Sequence, residues 1–201
     1  MSTQLARPNR RLVPALVIGI VIVAAVVYWR MGAEATPATV PYDDPQSAGS
    51  IALCSADGTP VTEGSVDDTP FAAVALGETG LPSDLDADGA VGTLFAYQPR
   101  AGVSPSEYSG TAITAAGVLA DPASPAVSVP EDAWTLGDFV TAYPADFDGY
   151  VQLRLYLGTP AAGTLNDRPY DTADLRIDGD RWELVRGGSV ACATQTSEEN
   201  R

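Results

Sequence analysis

The side chains available for chemistry in this chain are carboxylates, tyrosines, arginines and hydroxyls. The sequence holds 26 Asp and Glu, 8 Tyr and 11 basic residues, all of them arginine, with no histidine and no lysine. Without histidine, neither a Ser-His-Asp triad nor a Cys-His pair can form. Without lysine there is no P-loop lysine, no Schiff base and no Ser-x-x-Lys acylating pair. The histidine-containing ligand sets of zinc, copper and haem are excluded as well. Neither a dinucleotide glycine loop nor an N-x-[ST] sequon occurs. Facing carboxylates remain, and such a pair can hydrolyse a glycosidic bond. Among so many acids no pair stands out by spacing. A single candidate such as Glu183 sits at the solvent-facing position of an alternating run, with Trp182 and Leu184 on the other face. No catalytic residue is assigned, and the chain is read as a non-enzyme.

One acidic string has a ligand-like pattern. Asp84-Leu85-Asp86-Ala87-Asp88-Gly89 matches the opening of a calcium loop, where alternate carboxylates converge and glycine permits the sharp turn. The twelfth position is Phe95, where the bidentate glutamate belongs, and the following residues alternate as a strand does. An acidic loop tip on an acidic protein is the simpler reading, so no metal ligand and no cofactor is assigned. Tyr97, Tyr156 and Arg154 can share the outward faces of two strands, where aromatics and arginine anchor interfaces. In a two-layer fold the same three make a second core layer under a helix.

Several segments must position these residues. Residues 150–157 alternate strictly, with Val151, Leu153, Leu155 and Leu157 on one face and Gln152, Arg154 and Tyr156 on the other. Residues 91–98 do the same and stop at Pro99; residues 51–54 and 71–76 are shorter strand candidates. Residues 173–177 and 181–185 flank Asp178-Gly179-Asp180, a hairpin signal because glycine accepts the positive φ of the turn. Leu136, Phe139, Val140 and Tyr143 form one helical stripe, opened by Thr135 with Asp138 and stopped by Pro144. Residues 99–131 read as a long excursion with one weak strand near Ile113. The expected fold is mainly β: an antiparallel β-sandwich-like or α+β domain with one short helix.

Cys54 and Cys192 lie in the first and last strand-like segments, and in an oxidising exterior an even pair most simply forms one disulfide. Residues 12–29 carry no charge and span about 27 Å as a helix, close to the hydrocarbon thickness of a bilayer. Arg7, Arg10 and Arg11 precede the run and Arg30 follows it, so the positive-inside rule places the N-terminus in the cytoplasm and the rest outside. Ala33-Glu34-Ala35 fits a signal-peptidase pattern, but the apolar run is longer than a signal core and ends in Tyr28 and Trp29. The expected organisation is a basic cytoplasmic tail (1–11), a transmembrane helix (12–30), a Pro-rich linker (31–49), an extracytoplasmic β-rich domain (50–193) and a disordered tail (194–201).

The strings LFAYQPRAGVSP at 94–105, DFVTAYP at 138–144, VQLRLYLG at 151–158 and DGDRWELVRGGSVAC at 178–192 resemble a family of uncharacterised actinobacterial single-pass membrane proteins. So does Leu53-Cys54 leading to Gly58-Thr59-Pro60-Val61. That resemblance covers most of the outer domain. It implies a single membrane span with an extracytoplasmic β-rich domain, and it implies no activity.

Charge narrows the partners. After residue 30 the chain has seven arginines against 26 acids, a net charge of −19. Such a surface repels nucleic acids and anionic headgroups. The expected partners are the lipid bilayer, through the N-terminal helix, and an envelope protein. The expected role is a membrane-anchored accessory or binding domain. The alternatives are a carboxylate-dependent hydrolase of the cell wall and a calcium-stabilised adhesion module.

Overall fold

The two long alternating runs, 91–98 and 150–157, both form strands. The computed structural model describes residues 39–192. In chain order the elements are β1 (Ser47–Cys54), β2 (Glu63–Ser65), β3 (Val74–Gly77), β4 (Val91–Gln98), β5 (Ser109–Ala112), β6 (Gly117–Val118), β7 (Ala126–Ser128), α1 (Leu136–Ala142), β8 (Tyr150–Thr159), β9 (Gly163–Thr164), β10 (Tyr170–Asp178) and β11 (Arg181–Arg186). A single 3-10 turn, Pro105–Glu107, precedes β5. The expected transmembrane helix and the C-terminal tail fall outside the described residues. No helix among the described residues is long and apolar enough to cross a membrane.

The strands form one mixed sheet of 11, in the order β5-β4-β8-β10-β1-β3-β7, with β11 on the far half of β10 and β2 beyond it. The expectation of a purely antiparallel arrangement is corrected at one place: β1 runs parallel to β10, with Ser50 opposite Thr172. Alternation carries no direction, so only the structure could supply it. β1 then leaves that neighbour. Its second half, Ile51 to Cys54, pairs antiparallel with β3. The ordered domain also begins earlier than residue 50. β1 starts at Ser47, and Asp44 upstream of it is already buried.

The β10–β11 turn follows from Gly179. The register Asp178 opposite Arg181 leaves a two-residue loop, and Gly179 has φ 61°, the positive-φ first position of a type II′ hairpin turn. α1 carries the capping box read from its sequence: the Asp138 N–H donates to Thr135 Oγ1 at 2.9 Å, and the Thr135 N–H donates to Asp138 Oδ2 at 3.3 Å. Leu136 and Phe139 on its apolar stripe are fully buried, and they pack in one core with Ile51, Leu94, Leu153 and Trp182. Each such side chain stabilises the fold by about 1.5–3 kcal/mol relative to exposure.

β8 is the centre of the molecule. Val151, Leu153 and Leu155 face the core shared with α1, yet Gln152, Arg154 and Tyr156 on the opposite face are buried too. Something must cover that second face, and the cover is described next.

Candidate functional site

Arg154 is 3 % exposed and sits in a box of tyrosines. Its guanidinium lies 4.1 Å from the centre of the Tyr97 ring and 4.8 Å from that of Tyr170. Its Nε donates to Gln152 Oε1 at 2.7 Å, and its Nη2 donates to the Pro105 carbonyl, in the 3-10 turn, at 2.8 Å. Asp44 Oδ2 stands 3.5 Å from Nη2 and accepts from the Tyr170 hydroxyl at 3.0 Å. A guanidinium keeps its charge in any protein setting. The box compensates that charge with one carboxylate, two acceptors and two ring faces.

A second pair flanks the first. Asp174 is wholly buried between Arg186, whose Nε donates to Oδ2 at 2.5 Å, and Tyr42, whose hydroxyl donates to Oδ1 at 2.5 Å. Burial raises the Asp174 carboxyl above its ordinary range, against the pull of the Tyr42 hydrogen bond and the Arg186 charge. The phenols of Tyr42, Tyr97 and Tyr170 are likewise pushed up by burial, which keeps them neutral donors. The covering layer is therefore the segment from Tyr42 to Gln46 together with the turn at Pro105. The expected second core layer exists for Arg154 and Tyr156, but it lies under this strap; α1 packs on the other face of β8. The strap could not be read beforehand because its prolines and acids have the composition of a linker.

Away from this cluster, a cavity of about 190 Å³ opens beside β8 and β10, walled by Leu155, Leu157, Leu165 and Pro169, with Arg168 and Asp171 as its charged members. Asp171 is 2 % exposed. Its Oδ2 accepts from the Thr79 N–H at 2.8 Å, and its Oδ1 has no hydrogen-bond partner. Sequence reasoning passed over Asp171. Its one signal was an acid one residue after an aromatic at the start of a strand, and many acids here have such a context.

Of the residues singled out by pattern, Tyr97, Tyr156 and Arg154 meet in the tyrosine box, whereas the acids Asp84, Asp86, Asp88 and Glu183 are gathered at neither place. Asp84 is held by Arg168 at 3.4 Å, and Asp86 Oδ1 accepts from the Asp88 N–H at 3.0 Å. Among the described residues no three acids, cysteines or histidines are placed to hold a metal ion. Glu183 is exposed and stands opposite Glu63 in the β2–β11 ladder, where Arg181 lies 3.8 Å from Glu63. Trp182 faces the core, as the alternation required. Cys54 and Cys192 lie at disulfide distance, with their Cα atoms 5.7 Å apart and 138 positions between them in the chain.

No family model, curated protein or solved structure matches this chain.

Proposed function

We propose that the chain is a membrane-anchored extracytoplasmic binding domain whose partner is an envelope protein with a basic contact surface. The carrying observation is one edge of the sheet. Trp134 and Val118 are the large apolar side chains left exposed among the described residues, at 42 % and 76 %. Val118 lies in β6, which like β5 pairs on one side only, with β4. The Trp134 N–H donates to the Ile113 carbonyl in the segment between those two strands. An exposed tryptophan beside an open strand edge is the composition of an interface centre.

Charge supports the choice of partner. Of the six arginines among the described residues, Arg154 is buried, Arg168, Arg181 and Arg186 pair with acids, and Arg100 and Arg176 make no ion pair. The remaining surface is dominated by acids, so a basic partner surface is steered toward it and an acidic one is repelled. The N-terminal apolar run and the arginines before it support the anchor and its orientation.

The experiment is a crosslinking pull-down from intact cells, with full-length protein tagged at its C-terminus. The wild type is expected to return a specific membrane or envelope protein with a basic outer region. The Trp134→Ala/Val118→Thr variant should retain less than about a tenth of it, the loss of one hot spot. Equal capture by both proteins would overturn the proposed edge, and no specific capture would overturn the reading itself.

A further inference from the structure

We propose that the β5–β6 border of the sheet takes its partner by strand addition: an extended peptide segment with basic ends pairs, backbone to backbone, with the edge at Ala112 and Val118. The inference rests on the reading of this edge as the contact surface, and it names the mode of binding and the chemistry of the occupant.

The ladder determines which backbone groups are free. The Leu119 N–H donates to the Ala90 carbonyl at 2.9 Å, so Leu119 and Ala90 are a hydrogen-bonding pair. Antiparallel pairs alternate in kind, and Val118, opposite Val91, is of the other kind. Its N–H and C=O therefore point away from β4. The same holds in β5. The Ile113 N–H donates to the Leu94 carbonyl at 2.9 Å, so Ala112, opposite Phe95, also turns its N–H and C=O outward. Among the described residues no strand lies on that side, and no turn or loop gives Ala112 or Val118 a backbone bond. Between them the chain bulges: the Ile113 and Thr114 N–H groups share the Leu94 carbonyl, and the Trp134 N–H is fastened to the Ile113 carbonyl at 3.2 Å.

This edge lacks the features that keep sheets from pairing. Residues 109–120 contain no charge and no proline, whereas exposed edges are ordinarily blunted by one or the other. Other open edges of the sheet are blunted in that way. β7 lies between Pro125 and Pro130, and β2 carries Glu63 opposite Glu183. Ala115 to Val118 are all exposed, and a Cβ at Gly117 would meet nothing within 4 Å, so the surface around β6 is open.

Charge selects the occupant. Exposed Glu107 and Asp121 flank the uncharged stretch in the chain, and exposed Glu131 and Asp132 precede Trp134. A strand with an arginine or lysine at each end brings opposite charge to a neutral ladder bordered by acids. A second copy of this chain would bring like charges together and is disfavoured. Between the basic ends, β-branched residues suit a pleated edge. Main-chain pairing supplies the affinity, and the exposed Trp134 adds an aromatic contact.

The test titrates isotope-labelled full-length protein, in zwitterionic detergent micelles, with the capped hexapeptide RTVTVR. The controls are its acidic counterpart, ETVTVE, and an analogue of RTVTVR methylated at each central amide nitrogen. The expected result is saturable shifts of the Ala112 and Val118 amides by RTVTVR, with a Kd of about 1 mM or tighter. Both controls should bind at least about tenfold more weakly. Val118→Pro removes the outward N–H and leaves the ladder to β4 intact, so it should weaken RTVTVR binding at least about tenfold. Val118→Ala keeps that N–H and should hold the affinity to within about threefold. Strand addition would be overturned by an absence of binding, by equal binding of the methylated peptide, by shifts elsewhere on the domain or by full binding to Val118→Pro. A homodimer formed through this edge without peptide would overturn it as well. If Val118→Pro does not fold, the methylated peptide decides. Peptide binding with an empty pull-down would overturn the envelope-protein reading alone; partner capture without peptide binding would overturn strand addition alone.

Discussion

The hydroxyl of Tyr42 donates to Asp174 Oδ1 at 2.5 Å, although 132 positions of chain separate the two. Through this bond the segment before β1 is fastened to β10, the penultimate strand. Tyr42 also packs edge-on against Tyr108 and Tyr150, with ring centres 5.8 Å and 6.1 Å away. Tyr42→Phe keeps the ring contacts and removes only the donor. Asp174 would retain Arg186 and lose its second partner, so the expected destabilisation is about 1–3 kcal/mol. Urea unfolding of wild type and variant measures it, and an unchanged midpoint would show that the strap contributes through its rings alone.

The cysteine pair acts at the other terminus. Cys54 ends β1 and Cys192 lies just beyond β11, so the bond closes a loop of nearly the whole domain. Opening a loop of that length costs about 2–4 kcal/mol, mainly through the freedom returned to the unfolded chain. Cys54→Ser/Cys192→Ser is expected to remain folded, with a melting temperature about 5–15 °C lower for a domain of this size. Addition of dithiothreitol to the wild type should reproduce the same shift by calorimetry.

Much of this fold was legible because its central elements repeat a period. β4 and β8 alternate over eight residues or more, and α1 places Leu136 and Phe139 three apart, so each could be read from its own residues. β2, β6, β7 and β9 have only two or three residues, too few to express a period. They exist because a longer neighbour offers free hydrogen-bonding groups. The parallel pairing of β1 with β10 joins strands at opposite ends of the chain, and nothing local marks it. The polar face of β8 was ambiguous for a related reason. Gln152, Arg154 and Tyr156 look outward in sequence, and whether they meet water depends on Tyr42 and Asp44, more than a hundred residues away. Asp171 was illegible because burial, not residue type, distinguishes it from the other acids.

Acid should reveal the two buried carboxyls. Asp171 and Asp174 are both raised above the ordinary carboxyl value of 3.8, chiefly by burial. The folded state therefore holds these protons more tightly than the unfolded state does. Their contribution to stability is complete below about pH 4 and is lost as the pH climbs through the folded-state values. Two exposed acids oppose them. Asp57, bonded by Ser55 and Thr59, and Glu78, bonded by Ser50 and Ser189, are lowered, so their contribution is present above about pH 4 and fades below it. Asp171→Asn removes one raised group and leaves the lowered ones. Between about pH 4 and pH 7 its stability should decline less with rising pH than that of the wild type. Thermal melts across that range check the difference, and parallel curves would mean that Asp171 titrates alike in the folded and unfolded chain.

Gly77 and Asp171 should be energetically coupled. A methyl group at position 77 would sit 2.7 Å from Asp171 Oδ2 and 3.0 Å from Pro125 Cγ. The backbone of Gly77 lies outside the positive-φ region, so alanine meets no torsional penalty there and the cost is crowding alone. Gly77→Ala in the wild type is expected to lose about 1–3 kcal/mol, the usual cost of overpacking. In an Asp171→Ala background the carboxylate is gone and the methyl can occupy part of its space. The loss should then shrink, leaving a coupling of about 0.5–3 kcal/mol in a double-mutant cycle. Equal losses in both backgrounds would assign the bareness of Gly77 to Pro125 instead. A clear coupling would mean that β3 gave up a side chain at position 77 to make room for the buried Asp171 carboxylate.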